Sequence, residues 1–466
     1  MIKEMETTRA SKILFFLLCF TIVFTTLAYG TVHQPSLAVF YLLAVGIAVL
    51  WSVDSLFGGV LRFHKSSLQI PLIAAFFYAL AQIIPFGSLA ALAGVENIPR
   101  TISLDPFATQ VAALHFLALL ILLAAFLTYL DSQKRLRKLV MLITIFGFVF
   151  AFFGILQSVL SPLKIYGIYD VTYAKPFGSF VNRHNFAAYM EMTLCLPIGL
   201  MMVGAVEKDR RLLYITAIAL MGIALILSGS RGGLIALLAA VFFMVILTTE
   251  TKNTRQFALK IGAIVLLLAT LVIGSTLIGG ETSLVRIGEA DGSATTRTHI
   301  WDVALSVIFN HLPLGAGFGA FGVAYTPFDS LNGLERVEQA HNDYLETLAT
   351  AGIVGLLIGG FFIFRLFRTG LKNANTSNLF RRGVCIGALA GCFAILVHSF
   401  FDFVLHTTAI ATLFITLVSL VVVSGTAFPD DRHEHQSREH RKRRSANVTP
   451  FDKLKRKRES QSELQT

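Results

Sequence analysis

Apolar runs of about 18 residues or more recur along almost the whole chain, each long enough to cross a hydrocarbon core of roughly 30 Å. No other feature constrains the fold as strongly. In lipid, every backbone N–H and C=O must be satisfied within the protein, so runs of this length have to be helices. A transmembrane barrel would be written in short alternating segments instead. Composition agrees: 55% of the 466 residues are hydrophobic and 14% are charged, against about a quarter charged in a soluble chain. The expectation is an all-α polytopic membrane protein.

Twelve spans are read from the pattern, near 12–30, 36–53, 68–85, 107–130, 138–160, 185–206, 212–228, 232–248, 257–279, 350–366, 383–401 and 408–426. Only Gly229, Ser230 and Arg231 separate the seventh span from the eighth, which predicts a tight helical hairpin. Lys3, Arg9 and Lys12 flank the first span as they would a signal peptide. Its apolar core is longer than a signal core, and no clear small-x-small site follows it, so it is read as an uncleaved span.

Charge sets the orientation. With the N-terminus in the cytoplasm, 31 of the 39 Lys and Arg residues fall on the inner side and 8 on the outer side. That asymmetry follows the positive-inside rule and places both termini in the cytoplasm. The net charge of +11 therefore needs no nucleic-acid partner. Residues 1–429 read as one transmembrane domain and 430–466 as a disordered basic tail beside anionic lipid. His433, His435 and His440 in that tail are charged-tail residues before they are metal ligands. Cys19, Cys195, Cys385 and Cys392 all fall within apolar spans, so no disulfide of the outer loops is expected, and no Cys/His cluster has zinc spacing.

Three outer segments concentrate the polar residues. The first is YDVTYAKPFGSFVNRHN, Tyr169 to Asn185, and the second is the turn SGSRGG, Ser228 to Gly233. The third is a long loop, 280–349, between the ninth and tenth spans. A connection of that length is either functional or disordered. Within it, Ile300, Val303, Ala304, Val307 and Ile308 recur at helical spacing, which predicts amphipathic helices on the outer surface that cap a cavity. Gly315, Gly317, Gly319 and Gly322 suggest a dinucleotide loop, but no strand precedes them; a turn that lets backbone approach a helix or ligand is the better reading.

Four of these segments, in order, resemble the O-antigen ligase and polysaccharide polymerase superfamily. They are FGSFVNRHNFAAYM (Phe177 to Met190), SGSRGG, RTHIWDVALSVIFNHLPLGAGFGAFG (Arg297 to Gly322), and His341-Asn342 followed nine residues later by Gly352-Ile353-Val354-Gly355. HSFFDFVLH, His398 to His406, also fits. The resemblance covers about 177–426. It implies a GT-C-type membrane glycosyltransferase of the bacterial cytoplasmic membrane, with its site on the periplasmic or external face. Its relatives take a glycan from an undecaprenyl-diphosphate carrier and pass it to lipid A–core, another lipid-linked glycan or protein, with no metal or other cofactor in the ligase branch. Two arginines and the motif histidine act in those relatives; the matching residues here are Arg231, Arg297 and His341. Arg286 lies close to Arg297 and competes with it for that alignment.

The residue types suit such a reaction. A departing diphosphate needs fixed positive charge, and arginine keeps its charge and offers a planar fork. Arg231 opens a helix, a favourable place for an anion, although an interfacial arginine also snorkels to headgroups. Arg297 is either a second such cation or a surface helix charge. His341 suits a general base at neutral pH, a phosphate contact, or a buried helix-start histidine bonded to backbone. Asn182, Arg183, His184 and Asn185 stand where span six begins, as sugar or phosphate contacts or as helix caps. Asn342 is placed with the substrate-binding residues. Glu191, one to two turns into span six, must pair or face a polar cavity. His398, Asp402 and His406 are spaced to share one helix face as a structural cluster. Glu335, Glu338 and Asp343 are alternative bases, and Trp301 and Tyr344 are sugar-stacking or core aromatics.

A polymerase of lipid-linked repeat units uses the same chemistry with a different acceptor. A transporter or flippase of lipid-linked glycans also suits twelve spans. Transporters place polar residues near the midplane, often in internal repeats; here they gather at one face, and no repeat is visible.

Overall fold

In a computed structural model, residues 8–89, 98–172, 174–249, 258, 262, 293–330, 336–426 and 428 are described. In chain order the helices are α1 (Arg9–Leu27), α2 (Gln34–Gly58), α3 (Gln69–Gln82), α4 (Pro106–Tyr129), α5 (Gln133–Leu160), α6 (Arg183–Met202), α7 (Arg211–Leu227) and α8 (Arg231–Thr248). They continue with α9 (Ser293–His311), α10 (Phe321–Tyr325), α11 (Asp343–Asn373), α12 (Leu379–His398) and α13 (Thr408–Val423). A two-stranded hairpin, β1 (Lys164–Ile165) and β2 (Tyr169–Asp170), pairs Lys164 with Asp170 and Ile165 with Tyr169.

Among the described residues, eight helices are long and apolar enough to cross a membrane: α1, α2, α4, α5, α7 with the turn before it, α8, α11 and α12. α3 and α13 are apolar but shorter. α6 has the length, yet Arg183, His184, Asn185 and Glu191 dilute its apolar character. The span expected over 257–279 lies, apart from residues 258 and 262, outside the described residues, as do Arg286 and the tail 430–466.

α6 runs through the centre of the bundle, with α5, α7, α8, α12 and α13 against it. Residues Asn185 to Pro197 are all buried. The contact with α12 is close because both helices carry small residues. A Cβ placed on Gly199 would lie 2.7 Å from the Gly383 carbonyl oxygen and the Gly387 Cα. Small residues that let backbones approach are a usual basis of helix association in membranes, where burial from lipid gives little drive.

Two expectations are corrected. α7 and α8, joined by Ser228, Gly229 and Ser230, do not pair lengthwise as a hairpin. Each packs instead on α6, and they touch each other little. The reason is visible at Gly233, where a Cβ would lie 2.7 Å from the Ala187 Cβ; α8 is drawn onto α6 through its glycines. Likewise, His398, Asp402 and His406 do not share a helix face. α12 ends at His398 and the chain turns through a short 3-10 segment, Val404–His406, before α13 begins.

The segment before α11 builds a second, smaller core. Ile300, Val303, Ala304, Val307 and Ile308 of α9 are all buried, as their spacing predicts, against Phe321, Ala324, Tyr325, Ala340 and Ala349. The glycine-rich turn clasps α11 where that helix is broken. The Ala316 and Gly317 N–H groups donate to the carbonyls of Ala349 and Thr350, both at 2.8 Å, and the Ile353 N–H donates to the Pro313 carbonyl at 2.9 Å. Gly352 has φ 60° and ψ −155°, a conformation essentially restricted to glycine. A Cβ there would lie 2.1 Å from the Pro313 carbonyl oxygen, so the residue has no substitute at this contact.

Candidate active site

The N-terminal ends of α6, α8 and α11 converge on the turn that follows α12. Each end is set by a capping side chain. The Asn182 Oδ1 accepts from the His184 N–H at 2.9 Å, the Ser230 Oγ from the Gly233 N–H at 3.2 Å, and the Asn342 Oδ1 from the Tyr344 and Leu345 N–H groups at 3.0 and 3.1 Å. Three helix N-termini meeting at one place, each with about half a positive charge, make an anion-favouring locus before any side chain is counted.

Asp402 is the hub. It is 2% exposed. The His341 Nδ1 lies 2.9 Å from its Oδ1. A buried carboxylate there can only accept, so His341 carries its proton on Nδ1 and keeps Nε2 for another partner. The Phe403 N–H also donates to Oδ1, at 3.0 Å. Oδ2 faces two side chains at longer range: Arg297 Nη2 at 3.8 Å and His184 Nδ1 at 3.9 Å. Arg297 also donates through Nη1 to the Phe401 carbonyl at 3.1 Å. Burial by itself would raise the Asp402 pKa. The His341 hydrogen bond, with the Arg297 guanidinium and the two nearby imidazoles, outweighs it and holds the carboxyl well below the usual carboxylate range.

His184 links this hub to α8, with its Nδ1 2.9 Å from the Ser230 Oγ. Arg231 follows as the first, exposed residue of α8. Gly229, at φ 67°, makes the turn possible, and a Cβ there would lie 3.5 Å from Arg183 Nη1. His184, Arg297 and His341 are thus brought around one carboxylate, with Arg183 and Arg231 opening the neighbouring helices α6 and α8.

His341 itself has φ 50°, in the left-handed region. Its ring packs edge-on to Phe403, centroid to centroid 4.9 Å. Asn342 is 8% exposed and donates to the Phe400 carbonyl at 3.2 Å, in addition to capping α11. Asn185 is buried inside the first turn of α6. Asn342 thus holds the start of α11 against the turn after α12.

The remaining polar candidates are paired elsewhere. Glu191 and His398 form a fully buried pair at 3.1 Å, between α6 and α12. Asp343 accepts from the Ser399 Oγ at 2.7 Å and the Leu405 N–H at 3.3 Å. His406 bridges Asp343 and Glu346 at 3.4 and 3.3 Å. Glu338 pairs with Arg336 at the surface. Trp301 donates to the Ala340 carbonyl at 3.0 Å, and Tyr344 to the Leu396 carbonyl at 2.7 Å. Glu335 lies outside the described residues. Asp402 is the residue whose role the sequence hid: it was grouped with His398 and His406 by spacing, whereas its partner stands 61 positions away.

Eight helices long and apolar enough to cross a membrane, among the described residues, are the mark of an integral membrane protein. Residues 216–359 match the family model described as O-antigen ligase, so this stretch of the chain is similar to that family. The matched stretch holds Arg231, Arg297, His341 and Gly352, while Arg183, His184 and Asp402 lie on either side of it. No curated protein matches the chain.

Proposed function

We propose that this protein transfers a glycan from an undecaprenyl-diphosphate carrier to an acceptor hydroxyl at the outer face of the cytoplasmic membrane, as an O-antigen ligase-like enzyme. The bundle has twelve spans in this reading, with both termini inside. One observation carries the reading most: a histidine whose Nδ1 is committed to a buried carboxylate at 2.9 Å, with Arg297 3.8 Å from the same carboxylate.

His341 Nε2 takes the proton from the acceptor hydroxyl. The freed oxygen attacks the anomeric carbon, and the bond from that carbon to the carrier phosphate breaks. Asp402 stabilises the imidazolium that forms. Arg231 and Arg297, with Arg183 beside them, neutralise the charge that grows on the leaving diphosphate. Direct displacement inverts the anomeric centre.

The reading is tested in the native host by comparing wild type with a chromosomal His341→Ala variant. Carrier-linked and surface glycans are extracted separately and sized. Long polymer on the carrier, with none on its acceptor, identifies a ligase, and single repeat units on the carrier identify a polymerase. Unchanged pools with the variant present in the membrane overturn glycan transfer and favour transport. His341→Gln keeps a hydrogen bond without basicity, so full activity in that variant excludes the general base.

Arg231→Ala is expected to lower transfer on the order of 100-fold, the usual cost of removing one transition-state charge contact, with the protein still inserted. Quantifying carrier-to-acceptor transfer in membranes with matched protein levels checks this.

A further inference from the structure

A second built feature stands next to the site, on the turn between α1 and α2 and on the β1–β2 hairpin. Tyr29 is its centre. Its ring lies 5.6 Å from Tyr166, 5.2 Å from Tyr169 and 5.5 Å from His33, centroid to centroid, in edge-on or tilted contacts. His33 in turn lies 5.4 Å from Tyr169, and Tyr166 stacks on Phe153 at 5.4 Å. Tyr166 is 38% exposed. Next to these rings an open cleft of about 510 Å³ is lined by Leu163, Asp170, Val171, Thr172, Ala174 and Lys175. A sugar ring offers an apolar C–H face and a rim of hydroxyls. The neighbouring rings supply the apolar half, and Thr172, Lys175 and Asp170, the last paired with Lys164 at 3.3 Å, the polar half.

The backbone is held there at a cost. Among the described residues, four non-glycine positions have left-handed φ: Tyr29 at 57°, Thr31 at 57°, Tyr166 at 56° and His341 at 50°. Three of the four belong to this feature, and the fourth is the candidate base. A β-branched residue such as Thr31 rarely adopts that φ. Outliers of this kind persist where the surroundings over-determine them, and they cluster at functional sites. Here the Thr31 Oγ1 donates to the Thr25 carbonyl at 3.0 Å, and Tyr166 donates to the Leu27 carbonyl.

The feature packs on segments that flank the candidate site in the chain. A Cβ on Gly30 would lie 2.8 Å from Phe180 and 3.1 Å from Thr407, the residue after His406. On the other flank, the Lys175 carbonyl accepts from the Arg183 N–H at 2.9 Å. An interfacial tyrosine belt would not demand mutual ring packing or left-handed backbone.

We propose that Tyr29, Tyr166 and Tyr169, with the adjoining cleft, form a pyranose-binding subsite that holds the glycan while its reducing or acceptor end lies at His341. This rests on the glycan-transfer reading. The full-length chain in lipid nanodiscs is examined by saturation-transfer NMR with two oligosaccharide probes. One is released by mild acid from the host's carrier-linked glycan and the other from its surface acceptor. Saturation of the first assigns the subsite to the donor, and saturation of the second assigns it to the acceptor.

Tyr166→Ala and Tyr169→Ala should each weaken binding about ten-fold, the scale of one lost ring contact. Tyr169→Phe, which keeps the ring, should bind as wild type, and so should Leu213→Ala, an exposed replacement on α7. Wild-type binding in both alanine variants overturns the subsite, as does absence of binding by the wild type. A change confined to lipid-dependent stability, the outcome for a membrane-belt tyrosine, overturns it too. If His341→Ala loses transfer while the tyrosine variants bind normally, the subsite alone falls. If His341→Ala transfers normally while the tyrosine variants lose binding, the transfer reading alone falls.

Discussion

Asp402→Asn is expected to lose transfer by about a thousand-fold or more while the protein remains inserted, since general-base catalysis and its oriented histidine contribute on this scale. Asparagine fits the same space, so the effect isolates charge and tautomer from packing. With a carboxylate, the His341 Nδ1 must donate, and Nε2 is presented unprotonated. An amide offers either a donor or an acceptor, so the ring no longer has one preferred tautomer, and the imidazolium loses its counter-charge. Removing that charge also leaves Arg297, at 3.8 Å, without its anion. The diagnostic measurement is turnover at saturating donor, alongside donor binding. Turnover should collapse while donor affinity holds or rises, because one negative charge has left a diphosphate site. Unchanged turnover would remove His341 and Asp402 as a functional pair.

Gly352→Ala is expected to prevent accumulation of the folded protein. The backbone conformation alone costs a non-glycine residue roughly 1–3 kcal/mol. The clash adds to that, since the new methyl would lie 2.1 Å from the Pro313 carbonyl oxygen and 2.7 Å from the Gly315 nitrogen. Those are backbone atoms, so no side chain can swing away. The comparison is Gly359→Ala in the same helix, where a Cβ meets nothing within 4 Å. Gly359→Ala should reach wild-type levels in membranes. Similar levels for both variants would show that the break at Gly352 is dispensable.

The helices were legible because hydropathy is written locally and repeatedly. The buried face of α9 could be read from Ile300 to Ile308 for the same reason. Arg231, Arg297 and His341 could be singled out as candidates from motifs. The pairings among acids and histidines could not. His398 meets Glu191 across 207 positions and His341 meets Asp402 across 61. Spacing of four residues within HSFFDFVLH pointed to one helix face, but α12 ends at its first residue. The α7–α8 connection looked like a hairpin because a short linker implies neighbours. What decided the packing was the glycine surface of α8 against Ala187, a tertiary property no linker length reveals.

The candidate base and its carboxylate are carried by different bodies. His341 adjoins the small core of α9 and α10 through Ala340, whereas Asp402 extends from α12 of the main bundle. The 2.9 Å contact is thus an alignment between two parts, stitched by Asn342 to Phe400 and by Asp343 to Ser399. Damage inside the smaller core, at Val307 for instance, touches no substrate. It would still tilt one jaw of the vice, so residues remote from the chemistry can govern turnover while the bundle beneath them stands intact.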